Sequence, residues 1–395
     1  MGFLARANAL FVGLRVAASY HQALKVADAK TAQLKTARRD VRNAIRSAGT
    51  RIQFEDRYWE ADYARKSIVN RPVVAPKFFT QGSFAYDLLV DPCHPSQQLD
   101  LDDGMYVVVD YLQNGQPALV AKMLFEMVEE ALGPLCAQRG WELNTSKQTC
   151  VRVEIARDAH IDIPIYSAPR AIAESEELAK AAIAMDHVAR RANRVYVELP
   201  SDKIMLAHRD GTWQQSDPLT LHKWVEGCAV RYGEDFRRAC RYFKGWRDFT
   251  WTKCGLTSIT IMVAVAEALE QLYSSRRGDG DDRLVYEVAQ LLPDILKGDL
   301  YNPSLPDQYI VLNNWSDSER DAVVKAARAF ADQMDSALKR SPDQTMVVDA
   351  LRKAFGARIP YRPDVVEILP PITAAVAAIA PATVPSPSVK KSTSG

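Results

Sequence analysis

The sequence predicts an α+β protein, with a mixed β-sheet lobe carrying flanking helices followed by a helical lobe. Three observations carry this expectation. Alternating apolar and polar runs bracket an amphipathic helix in the first half of the chain. Several acids fall on those alternating runs. From about residue 215 onward, helical periodicity takes over. A length of 395 residues suits two or three domains, or a single two-lobed unit.

Residues 3–50 lack Pro and are rich in Ala, Leu, Lys and Arg, so they are expected to be helical almost throughout. From Lys25 to Arg51, both included, the chain carries eight basic residues and few acids. That stretch reads either as a solvated helix face or as a long spine helix turning a positive face toward an anionic ligand. Prolines at 72, 76, 92 and 95 then punctuate short strand-like runs, Lys77–Gln81 and Met105–Tyr111. Residues 118–138 place Leu119, Met123, Leu124, Met127 and Leu132 at helical spacing. TCVRVEIA (Thr149–Ala156) alternates like a strand, turns at Arg157-Asp158-Ala159, and resumes as HIDIPIY. Helices are expected over 217–231, 234–249, 256–275, 282–297 and 316–340. The end, from Pro370 to Gly395, is rich in Pro, Ala, Ser, Thr and Lys, has no aromatic residue, and reads as a flexible tail. The expected divisions are 1–210, 211–369 and 370–395.

Composition excludes several classes. Lys plus Arg total 50 against 49 for Asp plus Glu, so a uniformly basic nucleic-acid surface is not expected. No apolar run is long enough to span a membrane, and no secretory signal pattern occurs. The six cysteines show no C-x-x-C pair, which fits reduced thiols in a cytoplasmic protein. No H-E-x-x-H occurs, so a zinc hydrolase is unsupported.

The chemistry concentrates in residues 80–104, TQGSFAYDLLVDPCHPSQQLDLDDG. On a strand, Asp100 and Asp102 share one face, whereas Asp103 points the other way. Alone, such a pair reads equally as a surface acidic turn. Two carboxylates on one face are otherwise costly unless a cation joins them. A third acid, Asp162, lies on the later strand with His160 on the same face. If the two strands pair, three carboxylates meet and could hold two Mg²⁺ ions for phosphoryl or nucleotidyl transfer. Upstream, Gly82 would let backbone N–H groups approach a phosphate, and Ser83 adds a hydroxyl.

Five blocks in order extend this pattern: QGSFAYD (Gln81–Asp87), LDLDDGMY (Leu99–Tyr106), AHIDIPIY (Ala159–Tyr166), RDGTWQQSDP (Arg209–Pro218) and CRYFKGWRD (Cys240–Asp248). Through them the chain resembles the cGAS/DncV-like nucleotidyltransferases of bacteria, in the polymerase-β superfamily, over about residues 50–310. The resemblance implies a polymerase-β-like fold with a long N-terminal spine helix and an active site in the cleft between the lobes. It implies triphosphate binding by Gln81, Gly82, Ser83 and Tyr86, and metal binding by Asp100, Asp102 and Asp162. It also implies nucleotide contacts from Ser216, Lys244, Ser258 and, across an insertion or deletion, Asp307. Mg²⁺ is the implied cofactor, with Mn²⁺ as a substitute.

The implied function is an anti-phage (CBASS) cyclic dinucleotide synthase. It would join ATP and GTP into 3′,3′-cyclic GMP-AMP, with loss of two pyrophosphates. An RNA-tailing nucleotidyltransferase and a non-catalytic scaffold are the alternatives. The product would activate a separate effector. An E1/E2-like partner would recognise the tail and conjugate it through Gly395.

Overall fold

The computed structural model describes residues 2–13, 18–65, 71, 73–112, 114–169, 204–216, 218–274 and 280–370. A seven-stranded mixed sheet dominates the first lobe. Its strands are β2 (Lys77–Gln81), β3 (Leu99–Val109), β4 (Glu142–Asn144), β5 (Cys150–Ala156), β6 (Ala159–Pro169), β7 (Met205–Ala207) and β8 (Trp213–Gln215). The main order is β2-β3-β6-β5-β4, and β7 pairs with both β6 and β8.

The β5–β6 hairpin closes with Ala156 opposite Ala159, and a one-residue register shift between Glu154 and Ala156 then places Arg152 opposite Asp162 and Val153 opposite Ile161. The β3–β6 pair is parallel and places Asp100 beside His160 and Asp102 beside Asp162. Because β6 is covered on both edges and both faces, it is buried along almost its whole length. The conditional expectation that β6 lies beside Leu99–Val109 is met, and the acids sit on the first half of β3, ahead of the run expected from Met105.

Two helices cover one face of this sheet. Asp28–Gly49 is 22 residues long, about 33 Å, and buries Leu34, Ala37, Val41, Ile45 and Ala48 at helical spacing. Ala121–Arg139 ends on Gly140, whose φ of +66° supplies the left-handed cap. Basic residues on the first helix are put to structural use. Arg42 forks onto Asp103, Nε to Oδ2 at 2.7 Å and one terminal nitrogen to Oδ1 at 2.6 Å, and Thr80 also donates to Asp103. The paired side chains are 5% and 0% exposed. Arg42→Met strands a buried carboxylate, so urea denaturation should show a loss of about 3–5 kcal/mol. A loss below about 1 kcal/mol would mean water reaches the pair.

The second core is helical. It gathers Glu234–Thr250, Ser258–Leu272, Asp281–Lys297, Asp317–Asp335 and Gln344–Phe355, with Pro218–Tyr232 against them. The first four of these lie within a few residues of the expected spans. The last was not expected, and the span 316–340 stops being α-helical at Asp335, continuing as a π-turn over Ser336–Arg340.

The N-terminal segment departs most from expectation. Residues 3–24 are not one helix. A short strand β1 (Ala5–Arg6) pairs with β9 (Glu367–Ile368), and short helices follow at Asn8–Phe11 and Tyr20–Ala23. The physical reason is packing: Leu10, Phe11, Tyr20 and Leu24 fill the helical core, not the sheet core. Gly13 at φ +93° and a Ser19–Gln22 capping box interrupt the helix in between.

A crossing segment stitches the lobes together. After β2 the chain enters the helical core with Tyr86, Leu88 and Val90, then returns to β3. Gln97 donates to the carbonyls of Asp248 and Trp251 at 2.9 and 3.0 Å.

Candidate active site

The cleft between the two cores contains a cavity of about 320 Å³. From the sheet come Asp100, Asp102, Arg152 and His160, and from the helical lobe come Lys244, Arg247, Asp248 and Ser258. Ser83, at the start of the crossing segment, joins them.

Strand geometry explains the acids. Asp100 and Asp102 project from one face of β3, and Asp103 goes to the opposite face, into the Arg42 pair. Parallel register then sets Asp162 next to Asp102. Potential ligand atoms of Asp100, His160 and Asp162 lie within 4.8 Å of one another. Burial, followed by the charges of Asp100 and Asp162, raises the Asp102 carboxyl well above the usual carboxylate range. Asp162 is held by Arg152 in a two-pronged pair at 2.6 and 2.7 Å. The Asp100 Oδ1 and His160 Nε2 atoms are buried without hydrogen-bond partners. Carboxylates crowded together with orphaned acceptor atoms fit a hard divalent cation.

Gly82 carries the backbone requirement. Its φ is +67°, and a Cβ there would lie 2.0 Å from Asp102 Oδ2. Gly82→Ala therefore displaces the Asp102 carboxylate. A fall in kcat of about 100-fold is expected, with the protein still folded by circular dichroism. Wild-type kcat in the variant would show that Asp102 need not sit against this turn.

Opposite the acids, Lys244 is 4% exposed and donates to Ser83 Oγ and to the Leu88 carbonyl, each at 2.7 Å. Burial, and then the nearby Arg247, pull its ammonium down to about 8. Arg247 reaches Ser258 Oγ at 3.2 Å and pairs with Asp248 at 2.7 Å.

The remaining expected residues fall elsewhere. Gln81 is buried and donates to the Tyr166 hydroxyl at 3.0 Å. Tyr86 is 2% exposed in the helical core, its ring 5.5 Å from His222. Ser216 hydrogen-bonds Tyr166 and does not line the cavity. Asp307 is exposed in the turn Pro306–Gln308, outside the cavity lining. Gly395 lies outside the described residues. Arg152, Arg247, Asp248 and Gln98 were not anticipated. The turn that pairs Ala156 with Ala159 would by itself set Val153 opposite Asp162, and a one-residue register shift between Glu154 and Ala156 brings Arg152 there instead, so Arg152 had no local signal. Arg247 and Asp248 follow Lys244 by three and four residues on one helix face. All six cysteines are free thiols. Among the described residues no helix is long and apolar enough to cross a membrane.

Two family models match. Residues 76–166 match "Cyclic GMP-AMP synthase DncV-like, nucleotidyltransferase domain", and residues 233–367 match "Cyclic GMP-AMP synthase, C-terminal domain". A cyclic GMP-AMP synthase of Escherichia coli is 31% identical over 299 residues, covering 72% of this chain and 68% of that protein. One from Vibrio cholerae is 28% identical over 302 residues, with the same coverage. The crystal structure of Vibrio cholerae DncV with its linear intermediate 5′ pppA(3′,5′)pG aligns at a TM-score of 0.76. That alignment has 22% identity and covers 94% of this chain and all of that one, which shows a shared fold. The acid-lined cleft, the domain matches and the level of identity agree: the chain belongs to the DncV-like cyclic GMP-AMP synthase family of nucleotidyltransferases.

Proposed function

We propose that this enzyme joins ATP and GTP into 3′,3′-cyclic GMP-AMP by two successive nucleotidyl transfers. The observation that carries the reading is the parallel β3–β6 register, which sets Asp162 beside Asp102 while Asp100 and Asp102 face the buried Lys244–Ser83 pair across one cavity. In each transfer a 3′ oxygen bonds to the α-phosphorus of a triphosphate, and the bond to pyrophosphate breaks. Asp162 accepts the hydroxyl proton. Lys244 and Ser83 hold the triphosphate, together with the backbone at Gly82. Asp100, Asp102 and Asp162 would hold two Mg²⁺ ions, or Mn²⁺ in their place, which supply positive charge to the phosphate oxygens. Gln81 and Tyr86 support this turn from behind, and Ser258 serves the nucleotides from the helical side, while Ser216 and Asp307, which do not line the cavity, meet them only beyond it.

The test is incubation of the purified protein with Mg²⁺ and all four nucleoside triphosphates, with products identified by mass spectrometry. Cyclic GMP-AMP is expected. Another cyclic product would change the substrate assignment. Linear, acceptor-dependent extension would instead place the protein among RNA-tailing enzymes.

The wider setting rests on the family and on the tail composition. The enzyme works in the cytoplasm in anti-phage signalling, its product activates a separate effector, and an E1/E2-like partner conjugates it through Gly395. Deleting the last few residues should abolish conjugates in cells while leaving purified-enzyme activity intact. Unchanged conjugates would refute the Gly395 assignment.

A further inference from the structure

Beyond the three carboxylates, we infer that His160 is a nitrogen ligand of the metal, held in place by Gln98 and Glu154. This deepens the nucleotidyltransferase reading and rests on it for the presence of a cation. His160 is 5% exposed and lines the cavity. Its Nδ1 lies 2.9 Å from Gln98 Oε1. The Gln98 amide cannot be turned over without cost, because its Nε2 donates to Glu154 Oε2 at 3.0 Å and to the Arg157 carbonyl at 3.2 Å. Both of those partners accept only. Gln98 Oε1 must therefore accept, so His160 Nδ1 carries a proton and Nε2 is the ring nitrogen turned toward Asp100.

His160 Nε2 lies 3.1 Å from Asp100 Oδ1. Both atoms are buried and neither has a hydrogen-bond partner. Nε2 makes no hydrogen bond to that oxygen despite the short separation, whereas a cation lying against both atoms would satisfy each. The spacing suits one. Adjacent ligands of an octahedral ion with bonds of about 2.1 Å are about 3.0 Å apart. A ligand atom of Asp162 lies within 4.8 Å of both. An imidazole that binds with one nitrogen and donates the other N–H to an anchored acceptor is a recurrent metal-site arrangement. Here the anchor is Gln98, itself tied to Glu154. A nitrogen donor makes the site more favourable to Mn²⁺ relative to Mg²⁺ than carboxylates alone would.

The test loads the full-length protein with Mn²⁺ alone and reads nitrogen coupling by pulsed electron paramagnetic resonance. Wild type should show directly bound nitrogen, with the pattern changing on ¹⁵N-histidine labelling and vanishing in His160→Gln. Mn²⁺ affinity should fall by at least about tenfold in His160→Gln. In Gln98→Leu it should fall on the order of tenfold with the nitrogen coupling retained. The Mn²⁺-over-Mg²⁺ preference should shrink in His160→Gln. Bound Mn²⁺ without histidine coupling in wild type overturns the assignment, as does failure of Mn²⁺ to bind. Nucleotidyl transfer without the coupling would refute this inference alone. Coupling without transfer from any triphosphate would refute the functional reading alone.

Discussion

Asp102→Asn is expected to give a folded protein that melts a few degrees above wild type in metal-free buffer and has lost nucleotidyl transfer by at least about 1,000-fold. The rate loss corresponds to several kcal/mol of charge stabilisation at the reacting phosphate. The stability gain has a separate origin. Burial, and then the charges of Asp100 and Asp162, raise the Asp102 carboxyl above its unfolded value. The folded state therefore binds the proton more tightly than the unfolded chain does. Stability from this group is present below the unfolded pKa and is lost as pH rises through the folded one. Asparagine removes that loss, so the gap in Tm over wild type should widen from pH 4 toward neutrality. Mg²⁺ should raise the Tm of wild type by mass action and leave Asp100→Asn plus Asp102→Asn unmoved. A variant that melts below wild type at pH 7, or keeps activity within tenfold, would refute this account of Asp102.

The second large effect concerns Lys244. Its ammonium, held at about 8 by burial and then by Arg247, is mostly neutral above that pH in the free protein. A triphosphate beside it restores the charged form, so binding between about pH 8 and 10 should take up a proton. Titration calorimetry in two buffers of different ionisation enthalpy reads this uptake directly. Triphosphate affinity should fall as pH rises through the window. Lys244→Met should abolish the uptake and weaken binding about 10- to 100-fold, the cost of one charge-assisted hydrogen bond. The same group affects the fold with a defined sign. The unfolded chain binds this proton more tightly, so Lys244's contribution to stability rises with pH between about 8 and 10.5. Unaltered proton linkage in Lys244→Met would locate the triphosphate elsewhere.

Much of the site was legible because strands and helices have fixed periods. Alternation separates Asp100 and Asp102 from Asp103, and the structure sends Asp103 to Arg42 on the far face. The strand over Lys77–Gln81 has the boundaries that its flanking prolines and apolar run suggested. What escaped was decided by neighbours distant in sequence. Tyr86 reads as a ligand residue in QGSFAYD but is buried in the helical core, because the crossing segment carries it there. Residues 3–24 read as helix, yet their aromatic side chains are needed by a core assembled from the other end of the chain. Gln344–Phe355 is a short helix whose stability comes from packing that a local pattern does not display.

The sequence by itself determined which acids share a face, which turn needs a glycine, and that local charge is balanced across the chain. It also determined that a turn joins β5 to β6, whereas the register shift between Glu154 and Ala156 set which residue of β5 meets Asp162. Only the tertiary structure decided the β3–β6 pairing. A parallel pair has no local turn to align it, so its register comes from burying β6 between β3 and β5. That alignment brings Asp162 to Asp102 across sixty residues of chain and sets Arg152 and His160 around them. The second lobe then closes the cleft with Lys244, whose depressed ammonium exists only because two separately formed cores meet there.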